Sequence, residues 1–341
     1  METKEKTLDD KITKACHRIE DLYHETDGKC YVSLSGGKDS TVLLALIKLC
    51  EEIYTIPPNA IPAVFSNTGV ELGVTIDFVN WVKENYYTNV QVLRPIKPFG
   101  WVMEHEGKPL KSKMKSKDLH QYFCGKRSEG LLLLLFGMSG TGKLSCKHKI
   151  ADKDMHMLHN DFDIIPSNKC CDWMKKKPFE VYSKEAGMLG NIQGVRISEG
   201  GARESAANVR VRSGGKLCTW LKNGVIQKAP IIDWTDKDVE EFIERYNVPL
   251  SDAYTKYDFK RTGCMACPYA KGVDKDLEYL YNHEPNRYKA AMYWLKDVYI
   301  AQGVKLPFDA TYERERERES GAQSTSLCDR KCSASTDPIL V

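Results

Sequence analysis

The sequence carries almost no net charge and lacks any long apolar run. Its 50 lysines and arginines nearly balance 47 aspartates and glutamates, and the formal net charge of +3 is too small by itself to indicate a nucleic-acid partner. The longest apolar runs, such as residues 131–136, are far shorter than the roughly 20 residues that span a bilayer. Residues 1–6 are charged rather than apolar, so we expect no secretory signal, no membrane contact and a cytoplasmic location.

Cysteine, in contrast, is abundant, with 12 residues in a chain of 341. Without a secretory signal, this count favours metal binding or thiol chemistry over disulfide bonds. Three of the cysteines lie within apolar patterns, and we expect them to be small buried hydrophobic residues: Cys16, Cys30 and Cys50.

Short apolar segments alternate with longer ones along much of the chain. The short segments predict strands at residues 30–34, 61–65, 90–93 and 191–196. The longer segments have apolar residues on one face or throughout, which predicts helices, and a helix beginning after Thr235 has a capping signal. This alternation predicts an α/β fold with a doubly wound, mostly parallel sheet.

A glycine-rich loop follows the first predicted strand and precedes a predicted helix. Its residues are Ser35, Gly36, Gly37, Lys38, Asp39 and Ser40. The glycines let the backbone approach an anion, and the N-terminus of the following helix offers unpaired N–H groups. A glycine turn without a ligand is the alternative, but the complete hexapeptide in this context favours binding of a nucleotide phosphate.

A second loop, at residues 137–143, also fits the pattern G-x-x-x-x-G-K of a phosphate loop. Leu144 follows it, where a Ser or Thr would be needed to ligate magnesium. The loop also lies deep within a lysine-rich stretch, so we interpret it as a chance match.

These features divide the chain into four parts. We expect a nucleotide-binding α/β core whose first part is 1–102 and whose second part, 168–309, contains cysteine pairs. Between them, 103–167 is a lysine-rich, partly helical insertion, and 310–341 is a charged, low-complexity tail. Most lysines of the insertion are interpreted as polar surface, while contact with a nucleic acid stays open.

Two cysteine pairs lie far apart in the sequence. Cys170 and Cys171 are adjacent, whereas Cys264 and Cys267 form a C-x-x-C motif. Adjacent cysteines are poor disulfide partners because the ring is strained, but both can reach one metal centre. Four thiolates suit a [4Fe-4S] cluster or a zinc ion, and the adjacent pair favours the cluster. Two unrelated buried or redox pairs are the alternative.

Several of these motifs resemble those of one enzyme family. The loop at 35–40 matches the SGGxDS loop of PP-loop adenine nucleotide proteins. Residues 170–178 are similar to the CC…K…P segment of iron–sulfur phosphoadenosine phosphosulfate and adenylylsulfate (PAPS/APS) reductases, and 194–203 to their G-x-R-x-x-E-x-x-x-R segment. The matching segments lie within 30–100 and 168–272. The resemblance implies a Rossmann-like fold of the adenine nucleotide alpha hydrolase type.

The resemblance also implies roles for individual residues. The loop at 35–40 would bind the phosphate end of a nucleotide, and both cysteine pairs would hold a [4Fe-4S] cluster. The adenosine would lie against Asn67, Thr68 and Gly69. Arg196 and Arg203 would hold sulfate or phosphate, for which a guanidinium supplies two parallel donors, although surface ion pairing is the alternative for both.

The C-terminal tail departs from the family pattern. In those reductases a Glu-Cys-Gly-x-His cysteine attacks the sulfonate, and a thioredoxin-like dithiol then releases sulfite. Here neither Cys328 nor Cys332 is followed by Gly or His, but Arg330 and Lys331 lie between them. Nearby cations lower the pKa of a thiol, so either cysteine is a candidate nucleophile, and a tail without catalytic function is the alternative.

Three functions follow from these observations. The first is a sulfonucleotide reductase that takes APS or PAPS and releases sulfite and the nucleotide. The second is an ATP-dependent PP-loop sulfur transferase acting on DNA or RNA, for which the lysine-rich insertion would be a nucleic-acid surface. The third is an iron–sulfur subunit that binds a nucleotide without turnover.

Overall fold

The structure is a computed structural model of the chain that describes residues 7–54, 56–142, 144 and 148–307. Six strands form one sheet in the order β3-β2-β1-β4-β6-β5, and all neighbours are parallel except β5 and β6. The strands are β1 (Cys30–Leu34), β2 (Ala63–Ser66), β3 (Val90–Leu93), β4 (Gly190–Ile192), β5 (Thr219–Lys222) and β6 (Val225–Lys228). The predicted α/β fold with a mostly parallel sheet is confirmed.

Twelve α-helices are found in the described residues, and none of them has both the length and the apolar character needed to cross a membrane. They are α1 (Leu8–Glu25), α2 (Lys38–Ile53), α3 (Gly73–Asn85), α4 (Phe99–His105), α5 (Lys113–Phe123), α6 (Glu129–Phe136), α7 (Lys177–Glu185), α8 (Gly201–Arg212), α9 (Asp236–Arg245), α10 (Asp252–Thr255), α11 (Val273–His283) and α12 (Pro285–Gln302).

The apolar residues form two clusters. The first surrounds the sheet and joins it to α1, α2, α3 and α9. Its members include Cys16, Cys30 and Cys50, each at most 2% exposed, which confirms their predicted burial. The second cluster joins α4, α5 and α6 to α11 and α12, so the helices of the lysine-rich stretch pack against the C-terminal helices.

Two local predictions need correction. The strand predicted at 191–196 ends at Ile192, because the chain leaves the sheet to pass close to the glycine-rich loop. A Cβ atom on Gly194 would lie 3.0 Å from the backbone of Asp39, so glycine is needed there. The hairpin of β5 and β6 was not predicted, although Asn223 and Gly224 at its turn both have positive φ, as a tight hairpin turn requires.

A largely buried ion pair joins α1 to the segment between β6 and α9. Arg18, which is 9% exposed, donates to the two carboxylate oxygens of Asp233 at 2.8 and 3.3 Å. Lys14 donates to the same carboxylate at 2.6 Å. Burial by itself raises the pKa of Asp233, but the hydrogen bonds from Arg18 and Lys14 outweigh it and lower the pKa to about 2. The ionised carboxylate therefore stabilises the folded state.

Replacing Asp233 by Asn leaves Arg18 without its counter-ion, and we expect the free energy of unfolding to fall by about 2 kcal/mol at neutral pH. The folded-state pKa lies below the usual 3.8, so this stabilisation is present above that pH and is lost as the pH falls toward 2. Urea unfolding of wild type and Asp233→Asn over this interval should show a shrinking difference. Asp258→Asn, at a side chain that is 86% exposed, is the control. A difference that stays constant with pH would contradict the prediction.

Candidate functional site

A cavity of about 1200 Å³ opens beside the carboxyl ends of β1 and β4. These two strands are neighbours in the sheet. The strands β2 and β3, which follow β1 in the chain, lie on one side of this pair, and β5 and β6, which follow β4, lie on the other side. In open parallel sheets, ligands bind at this point of reversal, because the loops that follow the two strands separate there. The glycine-rich loop at 35–40, which we call the phosphate loop, follows β1 and lines this large cavity.

The backbone of the phosphate loop is held in a shape that only glycine fits. Gly36 has a φ of +70°, and a Cβ atom on it would lie 2.8 Å from Thr75 Cγ2. Ser40 Oγ donates to the Gly37 carbonyl at 2.8 Å and accepts from the Ser35 N–H at 3.2 Å. The serine hydroxyls therefore brace the loop from within. The N-terminus of α2, which begins at Lys38, presents its positive dipole to an anion bound at the loop.

Arg196 lies beneath the phosphate loop and is 1% exposed. Its guanidinium donates to Asp39 Oδ1 at 2.9 Å, to Asp236 Oδ1 at 2.8 Å and to Ser198 Oγ at 2.8 Å. Asp39 belongs to the phosphate loop and Asp236 is the first residue of α9, so Arg196 joins these two elements. Arg203 also lines the cavity, is 43% exposed in its side chain, and pairs with Glu199.

The predicted adenosine-binding residues lie in a different place. Asn67 Oδ1 accepts from the Gly69 N–H at 3.0 Å, and Thr68 donates to Glu71 Oε1 at 3.0 Å. Thr68 Oγ1 also lies 3.9 Å from Cys264 Sγ. In the part of the chain that the structure describes, none of the three residues at 67–69 lines the large cavity. They lie instead beside the cysteines.

A second, apolar cavity of about 40 Å³ is lined by all four predicted cysteine ligands. They are Cys170, Cys171, Cys264 and Cys267. The C-x-x-C turn is held by a hydrogen bond from the Met265 N–H to the Val70 carbonyl at 2.6 Å. Among the described residues, no group of three or more His, Cys, Asp or Glu side chains is placed to hold a metal ion. The structure thus brings the four thiols to one cavity but not into coordination geometry.

The four thiols differ in acidity. The hydrogen bond that Cys170 donates lowers the pKa of Cys171 to about 5, against the effect of burial, and Lys113 and Lys175 lower it further. The same hydrogen bond, together with burial, raises the pKa of Cys170. Burial raises the pKa of Cys264 to about 12 and also raises that of Cys267. Cys171 therefore has the strongest thiolate character of the four.

Lys175 lines both cavities. Its ammonium lies 3.1 Å from Glu71 Oε1, whose side chain is 3% exposed. Burial by itself lowers the pKa of Lys175, but the charges of Cys264 and Glu71 outweigh it and raise the pKa. A positive charge therefore lies at the border of both the cysteine cavity and the cavity of the phosphate loop. The sequence segment 170–178 contained this lysine, but no role had been predicted for it.

Sequence reasoning also missed one wall of the large cavity. Tyr254, Arg261 and Thr262 line it on the side facing the phosphate loop. No motif marks these residues, and the one signal is that Arg261 comes shortly before the C-x-x-C motif. The other predicted residues, Cys328 and Cys332, lie outside the described residues.

The second loop predicted by pattern does not form a phosphate site of the strand–loop–helix type. Residues 137–142 follow the helix α6 rather than a strand, and Gly137 ends that helix with a φ of +67°. Lys143 lies outside the described residues. This agrees with the interpretation of a chance match.

Comparison with known proteins gives one curated relative and several similar solved structures. An uncharacterized protein from Methanocaldococcus jannaschii is 27% identical over 269 residues, which are 76% of this chain and 47% of that protein. The chain therefore spans about half the length of this relative.

Two of the similar structures are distant enzymes. Phosphoadenylyl-sulfate (PAPS) reductase from Candida auris, in a phosphate complex, is 14% identical with a TM-score of 0.43, covering 77% of this chain and 97% of that one. The U34-tRNA thiolase of Methanococcus maripaludis with its [4Fe-4S] cluster is 13% identical with a TM-score of 0.38, covering 85% of this chain and 80% of that one.

The match to a protein family is more extensive. The phosphoadenosine phosphosulfate reductase domain matches residues 29–128 and 142–270, more than half of the chain. The matched residues include the phosphate loop, Arg196, Arg203 and both cysteine pairs. The chain thus belongs to the phosphoadenosine phosphosulfate reductase domain family and has its PP-loop adenine nucleotide alpha hydrolase-like fold.

Proposed function

We propose that the protein is a sulfonucleotide reductase, which takes adenylyl sulfate or its 3′-phosphorylated form and releases sulfite and the adenine nucleotide. The observation that carries this proposal is that Lys175 lines both the cavity of the phosphate loop and the cavity of the four cysteines. A nucleotide whose phosphate end rests on the loop would lie within the field of this lysine and of the thiols. Family membership supports the same reaction class.

In this proposal the phosphate loop at 35–40 binds the phosphate end of the nucleotide. Residues 67–69 are not given the adenosine, because they lie beside the cysteines and do not line the described cavity. Arg203 contacts the sulfate or phosphate directly, since its side chain is 43% exposed and lines the cavity. Arg196 does not contact this anion, because its N–H groups already bind two carboxylates. It acts indirectly, by fixing the position of Asp39 in the phosphate loop.

We propose that the four cysteines hold a [4Fe-4S] cluster, with zinc as the alternative. The donor set fits, because four sulfur atoms from two segments line one apolar cavity. Binding would replace the hydrogen bond between Cys170 and Cys171 by bonds from both sulfur atoms to iron. When bound, the cluster would supply electrostatic and structural support close to Lys175.

The proposed reaction needs a thiolate, for which Cys328 or Cys332 is the candidate. The thiolate attacks the sulfonyl sulfur, a new S–S bond forms, and the S–O bond to phosphate breaks with its electrons leaving on the nucleotide. A thioredoxin-like dithiol then attacks the S-sulfocysteine, becomes oxidised to a disulfide and releases sulfite. Arg203 would stabilise the negative charge that develops on the leaving phosphate.

A second function is favoured by the size of the large cavity. At about 1200 Å³, it exceeds the roughly 300–1,000 Å³ of typical small-ligand sites, so a second substrate could enter beside a nucleotide. Lys176, Lys184 and Lys222 also line it. These features favour an ATP-dependent sulfur transfer to DNA or RNA as the second candidate.

An anaerobic product assay separates the two candidates. The purified protein, with a thioredoxin-like dithiol, is offered adenylyl sulfate, its 3′-phosphorylated form and ATP in parallel. We expect sulfite from at least one sulfonucleotide and no cleavage of ATP. AMP and pyrophosphate formed from ATP, with stimulation by nucleic acid and no sulfite, would exclude the reductase and support the transferase.

Anaerobically purified protein should contain about four iron and four acid-labile sulfide per chain. Cys264→Ser should lower both contents, because it removes one of four ligands. Cys218→Ser is the matched control, since this cysteine does not line the cysteine cavity in the described structure. One zinc per chain without acid-labile sulfide would refute the cluster.

Gly36→Ala should weaken binding of adenylyl sulfate, measured by calorimetry, by about tenfold or more. Its positive φ costs an alanine about 1 kcal/mol, and the added Cβ would also meet Thr75. Gly214→Ala is the control, because Gly214 has a φ of +77° and open space around its Cβ position. Equal effects of the two substitutions would show that the loop does not bind the nucleotide.

A further inference from the structure

The segment 260–264, which we call the strap, borders the large cavity next to the phosphate loop. Lys260, Arg261 and Thr262 line the cavity. Thr262 Oγ1 would lie only 3.1 Å from a Cβ atom on Gly37, so the strap and the loop are in direct contact at this point. The second glycine of the loop therefore makes room for the strap as well as for an anion.

The strap is held at Thr262 and directly after its last residue. Tyr254 Oη accepts hydrogen bonds from the Lys38 N–H and the Thr262 N–H, each at 3.3 Å, and so joins the loop to the strap. After the strap, the Met265 N–H donates to the Val70 carbonyl at 2.6 Å. Arg261 therefore extends from a backbone whose distance to the phosphate loop is set.

Arg261 is exposed and makes no hydrogen bond or ion pair with any residue that the structure describes. Its charge nevertheless acts on Arg203 at the cavity and on Asp276 of α11, whose pKa it lowers against the effect of burial. The pKa of Arg203 is lowered by burial and then by the positive charge of Arg261, whereas Asp39 acts in the opposite direction. Arg203 and Arg261 also line the same cavity as the phosphate loop, so two guanidinium groups of like charge share it.

An anion between these two groups would relieve their repulsion and accept hydrogen bonds from both. A guanidinium binds phosphate or sulfate oxygens through two parallel N–H donors, which a lysine cannot do. We propose that Arg261 is a further anion-binding residue of this protein, which holds the phosphate or sulfate of the nucleotide beside the phosphate loop. This inference rests on the proposed function in one respect only, that the loop binds an anionic nucleotide.

Calorimetric titration with inorganic pyrophosphate tests Arg261 without any catalytic step. We expect Arg261→Gln to weaken pyrophosphate binding by about tenfold or more, and Arg261→Lys to restore only part of the loss. Lys256→Gln is the matched control, because Lys256 is an exposed cation nearby in sequence that does not line the described cavity. Its affinity should equal that of wild type, and the melting temperatures of all variants should agree.

The role of Tyr254 in holding the strap to the loop can be tested separately. Tyr254→Phe removes the oxygen that joins loop and strap, so pyrophosphate binding should weaken while Arg261 is still present. If Tyr254 acts by positioning Arg261, the Tyr254→Phe and Arg261→Gln double variant loses less than the sum of the two single losses. Additive losses would show that Tyr254 does not act through Arg261.

Other outcomes overturn the assignment of Arg261. Wild-type affinity in Arg261→Gln, or an equal loss in Lys256→Gln, would show that the strap contributes at most a diffuse charge. If adenylyl sulfate is reduced while Arg261→Gln binds pyrophosphate normally, the inference fails and the proposed function stands. If Arg261 is needed for pyrophosphate but no sulfonucleotide is reduced, the proposed function fails and the inference stands.

Discussion

The geometry of the site depends on the buried guanidinium of Arg196. A charge that is 1% exposed is costly unless it is compensated, and here two carboxylates and a hydroxyl compensate it. Because Asp39 belongs to the phosphate loop and Asp236 begins α9, this compensation also fixes where the loop lies. Removing either carboxylate would leave part of the charge unpaired, so the interaction couples loop position to folding.

The second organising feature is the set of residues that connect the large cavity to the cysteine cavity. Lys175 borders both, and the strap runs from the large cavity at Thr262 to the cysteine cavity at Cys264. A change of charge at the four sulfur atoms would therefore act on Lys175, which borders the cavity of the phosphate loop and whose side chain is 38% exposed. Its partner Glu71 has a side chain that is only 3% exposed, so solvent screens this ion pair less than a pair on the surface.

Predictions of strands and helix caps that depended on a few neighbouring residues were accurate. The apolar runs predicted the strands β1, β2 and β3, and the pair Thr235 and Asp238 forms the expected capping box of α9. Two local signals were misjudged. The apolar pattern after Asn191 continues beyond the end of β4, because the chain must pass the phosphate loop at Gly194. The hairpin turn at Asn223 and Gly224 had a recognisable signal that was not used.

The sequence alone determined the sheet type, the position of the phosphate loop and the identity of the four cysteines, because each is encoded in a short pattern or in the spacing of apolar residues. Only the tertiary structure decided which distant groups meet. It brought the two cysteine pairs to one cavity, paired the guanidinium of Arg196 with two carboxylates, and placed Arg261 in the cavity of the phosphate loop. These contacts join residues far apart in the chain, and packing of the sheet and helices, which no local pattern contains, sets their distances.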